Sequence, residues 1–163
     1  ETLPPEARIW IYQSNRPFSV GERRIVEDQL HQFSTEWSVH GMPLNTSYKV
    51  EYNQFIILGA DEEHQNASGC SIDSSVRTLK AVEQTIGVQL FDRNLVAFKQ
   101  GEEVTTISLK EIKQKFTDGT LNEDSLTFNN LVGTRLAFQT QWLLPVKETW
   151  LKRYMPNPLA KVD

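Results

Sequence analysis

The chain has 163 residues, of which 39% are hydrophobic, and its 17 Lys and Arg against 21 Asp and Glu give a formal net charge of -4. This length supports one well-filled core or one domain with an appendage, and the acidic balance argues against nucleic-acid binding. One cysteine cannot form an internal disulfide, no Cys/His group has zinc-ligand spacing, and no apolar run reaches the roughly 20 residues that cross a membrane. We therefore expect a cytoplasmic protein with no metal and no cofactor.

The chain begins with a predicted strand and helix. Residues 8–13, RIWIYQ, form an apolar run rich in β-branched and aromatic side chains. Ser19 and Glu22 have the spacing of a capping box, so a helix is expected to begin there and to end before Gly41 and Pro43. Its apolar face would consist of Ile25, Val26, Leu30, Phe33 and Trp37.

Two strands and a turn are predicted next. Tyr48, Val50 and Tyr52 alternate with polar residues, and the run Phe55–Leu58 is continuously apolar. A strand that is buried on both faces loses its alternation, so the second strand should be central in its sheet. The turn between the strands is expected near Asn53–Gln54.

A second helix and a hairpin complete the first hundred residues. The helix is predicted from about Ser71 to Gly87, and two strands are predicted around Gln100–Gly101. The order strand, helix, strand, strand, helix, strand is that of the ferredoxin-like βαββαβ fold, an antiparallel sheet with both helices on one face. We expect this α+β body over residues 1–101.

A small C-terminal α+β region is expected over residues 102–155, packed on the body and followed by a loose tail at 156–163. Ser108 and Glu111 have the spacing of a second capping box, for a short helix that ends by Gly119.

The end of this region is predicted to be helical. Residues 120–138 predict one or two short strands. Pro145 suits the first turn of a final helix in which Val146, Trp150 and Tyr154 recur every four residues.

The polar segment NASGCSIDSS, residues 66–75, opens the second helix and holds Cys70, the chain's only cysteine. The first amides of a helix lack partners, and its dipole adds roughly half a positive charge there, which favours an anion or a thiolate. Three interpretations stay open: Cys70 fills a small apolar gap, the segment binds an anion or small ligand, or Cys70 is a nucleophile with His64 as candidate base. The candidate ligand-binding residues here are Ser68, Gly69, Ser71, Asp73 and Ser74.

Three further polar residues are candidates for ligand binding. Asn15 and Arg16 follow the first strand, where they form either an anion clamp at the end of the sheet or an ordinary loop. Arg93 either forms a surface ion pair with Asp92 or reaches the loop around Cys70, and the spacing does not decide.

The stretches IYQSNRPF, SGCSIDSSV and NEDSLTFNNLV resemble an uncharacterised bacterial family whose members are often labelled ABC transporter ATPase. The similarity covers nearly the whole chain, and the label implies nucleotide binding. ABC ATPases bind phosphate with a Gly-x-x-x-x-Gly-Lys-Ser/Thr loop, and this sequence contains none. ATPase activity of that type is therefore not expected.

Residues 104–128, VTTISLKEIKQKFTDGTLNEDSLTF, resemble the small GYF-like module. This segment is about a sixth of the chain. The resemblance implies a strand, a Ser-capped helix, a Gly turn and a second strand. Such modules bind proline-rich segments or other proteins. The Gly-Tyr-Phe that names the module is absent, so only its topology is carried over.

The sequence supports three hypotheses of function, in decreasing order. The first is a non-enzymatic binding or scaffold protein, with a protein partner or a second copy of the chain. The second is a small anion-binding protein or cysteine-dependent enzyme with its site around Cys70. The third is the ATPase that the family label implies.

Overall fold

The computed structural model describes residues 3–39, 42–43, 45–62 and 69–156, with the side chains of 38–39, 42–43 and 69–71 left undescribed. These residues form an α+β structure with two antiparallel sheets of three and four strands, a separate pair of two-residue strands and four α-helices. The chain divides into two compact units, Glu1–Asp92 with Asn130–Thr140, and Arg93–Asn129 with Gln141–Asp163. Among the described residues, no helix is both long enough and apolar enough to cross a membrane.

The first unit is built on a three-stranded sheet. Its elements are β1 (Arg8–Gln13), α1 (Val20–Glu36), β2 (Ser38–Val39), β3 (Met42–Pro43), β4 (Asn45–Glu51), β5 (Phe55–Asp61) and α2 (Gly69–Ile86). The strand order is β1-β5-β4, and β2 pairs with β3. The first six residues of β5 are all buried, which confirms the prediction of a central strand covered on both faces.

Both long helices of this unit contribute to one core on the sheet. The Ser19 side chain accepts from the Glu22 amide and the Glu22 carboxylate accepts from the Ser19 amide, so the predicted capping box is confirmed. The predicted apolar face of α1 is correct except at Ile25, which is 41% exposed. The buried core residues are Phe18, Val26, Leu30, Val50, Ile56, Leu58, Leu79, Val82, Ile86, Val88 and Leu90.

The turn between β4 and β5 has an unusual backbone. Tyr52 and Asn53 both have a φ of 54°, and the Gln54 amide donates to the Glu51 carbonyl at 3.0 Å. The ladder closes with Glu51 opposite Phe55, so Tyr52, Asn53 and Gln54 form a three-residue hairpin loop. The Gln54 side chain is buried, and its Nε2 donates to the Ser14 carbonyl at 3.1 Å.

The second unit contains a four-stranded antiparallel sheet in the order β7-β6-β8-β9. Its elements are β6 (Leu95–Gln100), β7 (Glu103–Ser108), a 3-10 turn (Leu109–Glu111), α3 (Ile112–Thr117), β8 (Leu126–Phe128), β9 (Leu143–Pro145) and two further 3-10 segments (Val146–Glu148 and Trp150–Tyr154). The helix α4 (Arg135–Gln141) precedes β9 in the chain, and all of it except Gln141 belongs to the first unit. The core of this unit consists of Val96, Phe98, Ile107, Ile112, Phe116, Leu121, Val146 and Leu151.

The ferredoxin-like arrangement is not confirmed. Its expected fourth strand, β6, pairs with β7 and β8 in the second sheet. The boundary predicted between residues 101 and 102 lies in the turn between β6 and β7, inside the second unit.

Two predictions for the C-terminal third are wrong. The Ser108 side chain makes no cap hydrogen bond, because the chain enters α3 through a 3-10 turn rather than directly. The final helix is two short 3-10 segments, because Thr149 between them is extended, with φ -125° and ψ 173°. Pro145 accordingly ends β9 instead of starting a helix.

Candidate functional site

The helix α2 begins at Gly69, so Gly69, Cys70 and Ser71 lie in its first turn. Asp73 is exposed and Ser74 is half-buried. His64 and Ser68 lie outside the described residues, as do the side chains of Cys70 and Ser71. A catalytic role for Cys70 and His64 therefore stays a prediction from the sequence.

A groove of about 430 Å³ lies between the end of α1 and the first half of α2. Gln29 of α1 donates to Thr85 of α2 at 3.3 Å, whereas Phe33 and Trp37 line the groove together with Ser74 and Thr78. The two helices therefore run antiparallel, and the last turns of α1 lie beside the early turns of α2. The groove is lined by Phe33, Glu36 and Trp37 from α1 and its C-cap, and by Ser74, Arg77, Thr78 and Ala81 from α2.

One wall of the groove is aromatic and held in place by further aromatic packing. The ring of Phe33 lies 4.9 Å from that of Trp37, and Trp37 contacts Trp10 edge-to-face at 5.5 Å. Trp37 is only 3% exposed. Trp37 therefore backs this wall from below, and most of the apolar surface in the groove is that of the half-buried Phe33.

The opposite wall, on α2, is polar and carries a positive charge. Arg77 Nη2 donates to Ser74 Oγ at 2.9 Å, and Thr78 Oγ1 donates to the Ser74 carbonyl at 3.1 Å. The first contact holds the exposed guanidinium along the helix surface, where its remaining N–H groups face outward as donors. Glu36, also exposed, adds a carboxylate on the α1 side. The groove thus combines an aromatic surface with a cation and hydroxyl groups.

Arg16 joins three elements of the first unit. Its Nη1 and Nη2 donate to the two carboxylate oxygens of Glu22, both at 2.8 Å, and Nη2 also donates to the Ile86 carbonyl at 2.8 Å. These hydrogen bonds lower the pKa of Glu22 to about 2, with the largest effect from Arg16 and a smaller one from the Ser19 amide. The guanidinium therefore links the end of β1 to the first turn of α1 and the last residue of α2.

Asn15 forms a second link at the same end. Its amide donates to the Gln89 carbonyl at 3.0 Å, and its Oδ1 accepts from the Gln89 amide at 2.8 Å. Ile86 lies twelve residues beyond Ser74, or about 18 Å along α2, so Asn15 and Arg16 lie far from the groove. Arg93 is exposed and belongs to the second unit. Ligand binding by these three residues stays a prediction.

Sequence reasoning identified Ser74 but not the rest of the groove. Phe33 and Trp37 were assigned to the core face of α1, and Arg77 was not singled out. The spacing of Ser74 and Arg77, three residues apart on one helix face, was the available signal. Among the described residues, no three His, Cys, Asp or Glu side chains are arranged to hold a metal ion.

No family model, curated protein or solved structure matches this chain. The resemblances to the bacterial family and to the GYF-like module stay predictions from the sequence.

Proposed function

We propose that this protein is a non-enzymatic binding protein and that the groove between α1 and α2 is its ligand site. The ligand is a small organic anion with an apolar, preferably aromatic, body. The observation that carries the proposal is the placement of the rigid Phe33–Trp37 wall opposite the Ser74–Arg77 pair in one groove.

The chemistry of the two walls fits such a ligand. A carboxylate or phosphate would accept charge-assisted hydrogen bonds from Arg77 and a hydroxyl hydrogen bond from Ser74, which accepts from Arg77 and can still donate its own hydrogen. The apolar body would cover Phe33 and the edge of Trp37, where aromatic contacts favour offset or edge-to-face geometry. A volume of about 430 Å³ lies within the usual range for small-molecule sites.

Tryptophan fluorescence tests this proposal, because Trp37 lines the groove. Benzoate is the anionic probe and benzyl alcohol is the neutral control of similar shape. We expect benzoate to bind more tightly, and Arg77→Gln to weaken benzoate binding about tenfold while leaving benzyl alcohol unchanged, since a hydrogen bond to a charged group contributes about 1.5–3 kcal/mol. Arg24→Gln removes the same charge from the opposite end of α1 and should have no effect.

Two results would contradict the site. One is equal weakening by Arg77→Gln and Arg24→Gln, which would indicate a general effect of net charge. The other is a fluorescence change that persists in Trp37→Phe, which would place the probe elsewhere.

The alternative is an anion-binding protein or cysteine-dependent enzyme centred on Cys70. It is favoured by the start of α2 at Gly69, because this puts Cys70 in the first turn, where the helix dipole favours a thiolate. The rate of Cys70 modification by a thiol reagent, measured from pH 5 to 9 in native and denatured protein, distinguishes the two. Fast native modification at neutral pH would support the alternative, and modification only after unfolding would refute it.

A further inference from the structure

The groove between α1 and α2 carries two opposite charges, one on each helix. Glu36 is the last residue of α1 and Arg77 lies in the first half of α2; both are exposed, and both line the groove. Arg77 donates to Ser74 Oγ, and among the described residues no ion pair joins Glu36 to Arg77 or to another cation. A molecule in the groove therefore meets a carboxylate as well as a guanidinium.

The direction of α1 reinforces the negative charge on its side of the groove. A helix carries a partial negative charge at its C-terminal end, which favours a cation there and disfavours a carboxylate. The last turn of α1 contains no basic residue, and Glu36 ends the helix. The α1 side of the groove is therefore electronegative, and the only charged side chain that lines the α2 side is Arg77.

A simple organic anion satisfies only one of these two sides. Arg77 and Ser74 attract its carboxylate, but Glu36 repels it across the same groove. A ligand that also carries an ammonium group removes this conflict, because an ammonium has three N–H donors and no acceptor and therefore suits the Glu36 carboxylate. The apolar surface of Phe33 lies in the same groove and accepts the rest of the ligand.

We propose that the ligand of this groove is a free α-amino acid with an aromatic side chain. This inference rests on the ligand site proposed above and names its ligand class. Arg77 and Ser74 bind the α-carboxylate, Glu36 binds the α-ammonium, and the ring covers Phe33. The two charged groups of an α-amino acid are attached to one carbon atom, so a single small molecule presents both charges and an apolar ring to one groove. A residue inside a peptide has neither charge, which excludes it as an equivalent ligand.

Isothermal titration calorimetry with two ligands tests the assignment. L-Phenylalanine has the ring, the carboxylate and the ammonium, and 3-phenylpropanoate is the same molecule without the ammonium. Glu36→Gln should weaken phenylalanine binding about fivefold, the effect of a partly exposed ion pair, and should strengthen phenylpropanoate binding about twofold by removing a repulsive charge. Asp28→Asn is the control: it removes an equal charge from an exposed position on α1, about 12 Å before Glu36 along the helix, and should change neither affinity.

The ligand class and the ligand site fail in different ways. If neither ligand binds, or if Arg77→Gln weakens neither, the groove is not the ligand site and both proposals are wrong. If Arg77→Gln weakens both ligands but Glu36→Gln affects them equally, the groove binds organic anions and the amino-acid assignment is overturned. Glu36 is exposed, so its variant should keep the wild-type fold, as circular dichroism would confirm.

N-acetyl-L-phenylalanine gives an independent test. It has the ring and the carboxylate of phenylalanine, but its nitrogen is an uncharged amide, as at the C-terminus of a peptide. It should bind about fivefold more weakly than phenylalanine, and Glu36→Gln should not weaken it further. Equal binding of the two compounds to the wild type would overturn the assignment and make the C-terminus of a peptide the better ligand.

Discussion

Gly59 in β5 is the position where the structure predicts the clearest cost of adding one methyl group. A Cβ at Gly59 would lie 2.7 Å from Leu3 Cδ1, 2.9 Å from Ser47 Oγ and 3.2 Å from Ile9 Cδ1. Carbon atoms pack best at about 3.5–4.0 Å, so Leu3 must move by nearly 1 Å inside a buried site. Overpacking of this kind costs about 1–3 kcal/mol, while replacing glycine in a strand regains about 0.5–1 kcal/mol. The three close atoms are all ends of side chains that can turn, so the cost falls towards the lower part of this range, and Gly59→Ala should lower the free energy of unfolding by about 1 kcal/mol.

Urea unfolding of four variants measures this effect. Leu3→Ala removes the closest atom, so Gly59→Ala should be about 1 kcal/mol less costly in the Leu3→Ala background than in the wild type. Gly21→Ala on α1 is the control, because its Cβ would meet nothing within 4 Å and alanine is the better helix former. The packing argument would be refuted if Gly59→Ala were as stable as the wild type. It would also be refuted if Gly59→Ala lowered the free energy of unfolding equally in the wild type and in the Leu3→Ala background.

Two further predictions concern the first unit. The pKa of Glu22 is about 2 against an ordinary 4.5, so the Arg16 pair stabilises the fold above pH 4.5 and this contribution is lost as the pH falls towards 2. The urea midpoint should therefore fall more steeply over this range in the wild type than in Glu22→Gln, and parallel curves would contradict the assignment. Tyr52→Asn should raise the free energy of unfolding by about 1 kcal/mol, because asparagine tolerates positive φ better than tyrosine does. If the variant instead unfolds at a lower urea concentration than the wild type, the contacts of the Tyr52 ring contribute more stability than its backbone conformation costs.

Local signals predicted much of the first unit. The capping box at Ser19 formed as predicted, whereas the same spacing at Ser108 did not, because the chain there enters α3 through a 3-10 turn. Gly87 was predicted to end α2, and it has a φ of 71° and follows the last helical residue, Ile86. Local signals failed where an α-helix and a 3-10 helix differ little in energy. The residues after Pro145 have a helical period, but they form two short 3-10 segments.

The groove was much harder to predict than the elements that form it. Its two walls are far apart in sequence, because Phe33 and Trp37 belong to α1 whereas Ser74 and Arg77 belong to α2. Each wall resembles an ordinary helix surface: the aromatic residues fit a core face, and the arginine fits a solvated one. The two walls come together because α1 packs antiparallel on α2. The hydrogen bond between Gln29 and Thr85 is part of this packing, but nothing in the sequence around either residue predicts it.

The sequence by itself determined the α+β class, the bounds of the long elements to within a few residues, and the central position of β5. These follow from hydrophobic period, caps and turns, which act over a few residues. Only the tertiary structure decided that β6 joins a second sheet with β7 and β8, that Arg16 links three elements, and that Ser74 shares a groove with Phe33 and Trp37. Several distant segments have similar local preferences, so local sequence does not determine which of them pair. The pairing that forms is the one that gives the best packing of the whole chain.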